Sequence, residues 1–120
     1  MTEMRLLIGG ELVAGDDTLD VVNPATGRVF TRVARASKGQ ADQAIAAAKA
    51  AQPEWAKVPF DQRQAKLNAL ADAVAANSEE LARLLTTEQG KPLAEAQGEV
   101  AWTEGFLRHY ATLELPDRVI

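Results

Sequence analysis

The sequence predicts an α+β fold: short N-terminal antiparallel strands followed by about four packed helices. Three observations predict it. Up to residue 35 the apolar residues fall in short, alternating or β-branched runs separated by Gly-Gly and Asn-Pro turns. From residue 37 the apolar period lengthens to that of a helix. Prolines and glycines then divide the remainder into helix-length stretches. A length of 120 residues suits one domain or a piece of one.

Strands are expected across residues 5–35. Arg5 to Ile8 is short and apolar, Gly9-Gly10 tolerates positive φ, and Glu11-Leu12-Val13 follows, which predicts a hairpin. Gly15-Asp16-Asp17 reads as a second turn. Thr18 to Val22 is β-branched and stops at Asn23-Pro24, because proline cannot donate to a ladder and asparagine favours a turn; Gly27 closes it. Arg28 to Ala34 alternates, with Val29, Thr31 and Val33 on one face and Arg28, Phe30 and Arg32 on the other. Two mixed faces suit a strand away from the centre of a sheet.

Helices are expected across residues 38–114. Ser37-Lys38-Gly39-Gln40 fits a capping box, in which the Ser hydroxyl and the Gln amide satisfy N–H groups that the first turn leaves unpaired. Ala41, Ile45, Ala48 and Gln52 share a stripe of an alanine-rich helix; Pro53 is expected to break it, and Trp55 to plug a corner between helices. Pro59-Phe60-Asp61 opens a second helix with Asp61 as N-cap and Leu67, Leu70, Ala71 and Val74 facing inward. Asn77-Ser78-Glu79-Glu80 is a stop and a restart, its acids favoured by the helix dipole. Leu81, Leu84 and Leu85 form the third stripe, and Gly90 then Pro92 ends it. A fourth helix starts near Leu93 with Val100, Thr103, Phe106, Leu107 and Tyr110 as its apolar face and Pro116 as its stop. Its glycines, Gly98 and Gly105, lie seven apart on nearly one face and predict close approach of another helix.

Composition narrows function. The 17 acids against 13 bases leave a net charge of −4, which argues against a nucleic-acid partner, since phosphate binding needs a basic surface. With no cysteine there is no disulfide, thiolate metal site or thiol catalysis, and the lone His109 cannot build a multi-histidine centre. The apolar start Leu6-Leu7-Ile8 ends at Gly9-Gly10, far short of a signal sequence, and no apolar run reaches the roughly 20 residues that span a bilayer. The expectation is a cytoplasmic protein with no membrane partner.

The motifs that resemble chemical sites have plainer structural readings. Asn23 to Gly27 is a turn and lacks the glycine spacing of a phosphate loop. Gly90-Lys91-Pro92 lacks GxxxxGK[ST] around it and reads as a helix terminus with a lysine near the negative dipole end. Gly90 and Gly98 follow no strand and form no GxGxxG. Glu88, Glu95, Glu99 and Glu104 read as solvated or ion-paired helix acids, and His109 has no Ser or Cys placed to pair with it. No catalytic, cofactor-binding or metal-binding residue is therefore assigned.

As a set, these segments resemble the aldehyde dehydrogenase superfamily, N-terminal portion only. The resemblance rests on Leu6 to Glu11, on Val21 to Gly27, on Asp42, Ala44 and Ala47, and on Trp55, Arg63, Leu67, Leu70 and Ala71. It continues through Glu88-Gln89-Gly90-Lys91-Pro92 and Phe106 to Ala111, in family order over nearly the whole chain. It implies descent from a larger α/β enzyme. Residues 1–120 would form an incomplete N-terminal part of its cofactor-binding domain, and Leu115 to Ile120 would fall where the family's projecting hairpin begins. Family members are several times longer and use NAD or NADP, an oxyanion-holding asparagine, a glutamate base and a cysteine nucleophile. None of these has a counterpart here. A monovalent-cation site in many members would map onto Val22 and Glu88, with a further ligand beyond residue 120.

Two functions of different class follow. In the first, the chain is the N-terminal segment of an NAD(P)-dependent aldehyde dehydrogenase, the product of a truncated or split gene, and is inactive alone. It holds no cofactor itself, and its partner is the remainder of the enzyme. In the second, it is an independent helical interaction module without catalysis, its apolar faces buried within the chain or by self-association.

Overall fold

The computed structural model describes residues 4–114. Their contacts separate into two compact units, one ending at Lys57 and the other beginning at Val58. The element order is four short strands and then four helices, as the change of period predicts.

In the first unit, β1 (Leu6–Ile8) and β2 (Glu11–Val13) pair antiparallel with Ile8 opposite Glu11. The loop is thus Gly9-Gly10, at φ 63° and 89°, the two positive values that match a two-residue loop to the strand twist. β3 (Asp17–Asn23) and β4 (Arg28–Arg35) form a second antiparallel pair. The expected turn joins them. The Asn23 carbonyl accepts from the Gly27 N–H at 2.8 Å, its Oδ1 accepts from the Ala25 N–H at 2.9 Å, and Gly27 takes φ 66°.

Along β4 the expected alternation fails. Val21 stands opposite Thr31 but Val22 opposite Val29, so Phe30 has no opposite residue. One extra residue turns the strand face, and Val29 is exposed while Phe30, Thr31, Val33 and Ala34 are half-buried. Asp17, expected in a turn, already belongs to β3. Gly15 is small for a different reason: a Cβ there would lie 2.6 Å from the Arg35 carbonyl oxygen.

α1 (Lys38–Ala56) opens with the predicted capping box at Ser37 and Gln40. Its half-buried line is Gln40, Ala44 and Ala47, not the expected stripe; Ile45 is 67% exposed. The contact with β1 explains this, because Ala47 Cβ lies 3.8 Å from where a Gly9 side chain would start and only small groups fit. Pro53 does not break the helix, which runs on to Ala56. It falls in the last turn, where its missing N–H forfeits one bond and little helix remains to disrupt. Trp55 accordingly sits inside α1 and is exposed rather than plugging a corner.

In the second unit, α2 (Phe60–Ala76) follows Pro59 as N-cap, so Asp61 lies in the first turn and makes no cap bond. Its charge still meets the positive dipole end. Asn77 alone separates α2 from α3 (Ser78–Gln89), whose first turn carries Glu79 and Glu80 as expected. Gly90 ends α3 at φ 77° and donates to the Thr86 carbonyl at 2.8 Å. α4 (Leu93–Tyr110) starts directly after Pro92.

α4 packs against both α2 and α3. The interior is built from small residues: Ala71, Ala82, Ala96, Ala111 and Val100, with Val74, Leu85 and Leu93 packed around the Ala82–Ala96–Val100 cluster. No large side chain is fully buried among the described residues. Alanine at the contacts lets helix axes approach closely and leaves the larger apolar groups outside. Leu70, Leu81, Thr103, Phe106 and Tyr110, expected to face inward, are exposed for this reason. The inward line of α4 is Leu93, Ala96, Val100 and Leu107.

A Cβ added at Gly98 or Gly105 would meet nothing within 4 Å, so no helix of the described chain approaches them. Pro116, expected to end α4, lies outside the described residues. The helix stops at Tyr110, where the Thr112 hydroxyl donates to the His109 carbonyl at 2.7 Å. No helix among the described residues is long and apolar enough to cross a membrane.

Candidate functional site

Each unit carries residues with chemical potential of its own. In the second unit, the corner between α3 and α4 carries an ionic link. Gly90 reverses the chain, Pro92 starts the next helix, and the half-buried Lys91 ammonium pairs with Glu99 in α4. Glu88, just before the corner, is exposed. Lys91 is thereby committed to a structural ion pair and presents no phosphate-binding loop.

A second ionic cluster ties α4 to α2. Arg108 Nε donates to Glu104 Oε1 at 2.9 Å and its Nη2 to Asp72 Oδ1 at 2.9 Å. Hydrogen bonding to Glu104, then to Asp72, raises the Arg108 pKa above the ordinary arginine value. Glu104 is therefore an ion-pair partner, as expected of the acids on this helix. His109 is exposed and meets the Tyr110 ring edge-on, with centroids 5.6 Å apart. Glu95 is exposed in the first turn of α4.

Two buried polar atoms lie outside what the sequence indicates. Arg63 Nε and Thr86 Oγ1 are buried without a hydrogen-bond partner in the described chain. Arg63 stacks its guanidinium over the Phe60 ring at 5.6 Å. Arg63 is one of the residues that carry the family resemblance, but no local motif marks the burial of either atom, since which polar atoms become enclosed depends on helix packing.

In the first unit, the Asn23 to Gly27 loop spends the carbonyl and side-chain oxygen of Asn23 on closing its own turn. Val22 sits at the register shift of β3. The one strand-to-helix junction among the described residues runs from Arg35 to Lys38. A dinucleotide fold places its pyrophosphate at such a junction, on free N–H groups behind a glycine-rich turn. Here Ser37 Oγ accepts from the Gln40 N–H at 3.2 Å, and the strand entering the helix is paired antiparallel. That junction therefore lacks the free N–H groups and glycine-rich turn on which a dinucleotide fold seats a pyrophosphate. The described residues also hold no group of three or more His, Cys, Asp or Glu arranged for a metal ion.

The family model for the aldehyde dehydrogenase family matches residues 12–117. The chain belongs to the aldehyde dehydrogenase family. A probable aldehyde dehydrogenase of a Pseudomonas species is 46% identical over 95% of this chain and 23% of its own length. The glutarate-semialdehyde dehydrogenase of Pseudomonas putida is 42% identical over 87% of this chain and 22% of its own. Among solved structures, a point mutant of Staphylococcus aureus betaine aldehyde dehydrogenase in complex with NAD+ superposes with a TM-score of 0.87. It is 32% identical, over 91% of this chain and 23% of that one. The chain thus spans less than a quarter of the length of these family relatives. Its α+β arrangement is that of one part of an α/β enzyme.

Proposed function

We propose that this chain serves as the N-terminal scaffolding part of an NAD(P)-dependent aldehyde dehydrogenase and performs no turnover by itself. The observation that carries the reading is a pairing. Nearly the whole chain follows the family in sequence, yet its 120 residues include no cysteine. Oxidation by a thiol route adds a thiolate to the aldehyde, passes hydride to the nicotinamide and hydrolyses the resulting thioester. The hairpins, the small-residue helix core and the α3–α4 corner supply none of those groups; they supply shape. Arg63 Nε and Thr86 Oγ1 support the same reading, because buried polar atoms in native proteins are normally paired and these two lack partners in the described chain.

The remainder of such an enzyme is then the partner, and NAD or NADP its cofactor. Co-expressing the 120 residues with the Pseudomonas putida relative lacking its matching segment tests this. Restored glutarate-semialdehyde-dependent reduction of NAD+ or NADP+ is the expected result. A soluble but inactive mixture would count against it.

A further inference from the structure

Among the described residues, three lysine or arginine side chains are half-buried: Arg63, Lys91 and Arg108. All three lie in the second unit. Lys91 has its carboxylate in Glu99, and Arg108 has two, in Glu104 and Asp72. Arg63 has none. No acid of the described residues stands within ion-pair distance of it, and its enclosed Nε finds no acceptor.

Its position adds two further costs. Arg63 falls in the first turn of α2, where the positive end of the helix dipole disfavours a cation. Partial removal from water disfavours its charge as well. Its guanidinium carbon lies 5.6 Å from the centre of the Phe60 ring, an attraction that holds the head group in place. A ring face does not accept the planar N–H fork of a guanidinium as a carboxylate does. Arg63 thus breaks local rules with no full compensation inside its own chain, the mark of a functional position.

We infer that Arg63 is a carboxylate-binding residue, whose aspartate or glutamate partner belongs to the remainder of the enzyme. This rests on the scaffolding reading and assigns an ionic link between scaffold and remainder to one side chain. The shared segment is 23% of one relative and 22% of another, so most of the groups that could meet Arg63 lie outside it. The partner is an acid rather than a carbonyl because a half-buried cation needs neutralising as well as hydrogen bonding. Lys91 and Arg108 are neutralised in that way within this same unit. Gln64, the next residue, donates its Nε2 to the Leu113 carbonyl at 3.0 Å. That bond ties the start of α2 to the chain just past α4, so Arg63 is presented from a braced helix end.

Arg63→Met keeps much of the side chain's apolar packing and removes its charge. In the isolated chain an unpaired half-buried charge is a cost, so the thermal midpoint of Arg63→Met should equal or exceed that of the parent chain. The remainder is the Pseudomonas putida relative lacking its matching segment. Titrated with it, Arg63→Met should bind at least about tenfold more weakly than the parent chain. Arg63→Lys, which keeps the charge without the fork, should fall between the two. A role confined to this chain does not produce effects of opposite sign. A midpoint several degrees lower in Arg63→Met would overturn the inference, since the arginine would then be serving its own unit. Binding of Arg63→Met equal to the parent's would overturn it while the scaffolding reading stood. Binding by neither chain would remove that reading and this inference with it. Sodium sulfate raising the parent's midpoint more than that of Arg63→Met would assign Arg63 to a free oxyanion and overturn the link.

Discussion

Gln40, in the first turn of α1, reaches back to the loop before β3, where its Nε2 donates to the Ala14 carbonyl at 2.9 Å. Its Oε1 meanwhile accepts from the Asp16 N–H at 3.0 Å and the Ser37 N–H at 3.1 Å. One side chain therefore caps a helix and fixes the chain entering the second hairpin.

Gln40→Ala removes all three bonds and should destabilise the first unit by about 1–2 kcal/mol, the range of a lost helix cap. Gln40→Glu keeps the two acceptor bonds and should cost less. Amide hydrogen exchange reads the effect directly: Asp16 and Ser37 should lose protection together in Gln40→Ala.

Gly90 and Gly105 should respond to alanine with opposite signs. Gly90 holds φ 77°, so Gly90→Ala forces an L side chain into the left-handed region at a cost of about 1 kcal/mol or more. Gly105 is helical with open space at its missing Cβ, so Gly105→Ala should stabilise by up to about 1 kcal/mol. Chemical denaturation midpoints of the two variants, measured side by side, check the contrast.

Much of the fold is legible in the sequence because it is local. Ser37 and Gln40 sit three residues apart and need nothing else to form a box. Gly9-Gly10, Asn23 to Gly27, and Gly90 with Pro92 are likewise complete signals within a few residues. The helix faces are not legible on the same terms. Ile45, Leu70 and Phe106 are among the bulkiest apolar groups on their helices and draw the expected stripes toward themselves. The second unit's interior, however, is made by Ala71, Ala82 and Ala96, because close helix approach excludes bulk, while in the first unit α1 turns the half-buried Ala47 toward Gly9. The extra residue at Phe30 is set by pairing with β3, which periodicity along β4 alone does not encode. The family motifs Asn23 to Gly27 and Glu88 to Pro92 are legible as residue runs, and they fold into a turn and a helix corner.

Overpacking should show how tight that alanine interior is. Ala82 and Ala96 are fully buried in one cluster, so Ala82→Leu should cost about 1–3 kcal/mol. A thermal melt lowered by several degrees checks it. An unchanged melting temperature would mean that the α3–α4 contact is loose.

Asp72 links α2 to α4 through Arg108, and its removal should lower thermal stability modestly and less so at high salt. The pH sign is fixed by Arg108. Its pKa is raised in the fold, so its contribution is complete below the ordinary arginine pKa and is lost only as pH rises through the raised value. Between neutral and mildly alkaline pH the Asp72→Ala deficit should therefore be constant, as melts across that range would show.

Exposed apolar groups in the first unit should bind a hydrophobic dye. Leu7, Leu12, Leu19, Val22, Val29 and Ile45 are all exposed there. Dye fluorescence should persist in Trp102→Ala, which alters only α4, and the thermal transition should be broad. A sharp transition without dye binding would favour an independently stable module.

On the proposed reading, this member of the aldehyde dehydrogenase family supplies scaffold and not the groups that react with an aldehyde. The most direct measurement is aldehyde-dependent formation of reduced nicotinamide by the purified 120-residue chain with NAD+ or NADP+. A rate equal to the protein-free control is expected. Saturable turnover that scales with the concentration of the chain would contradict it.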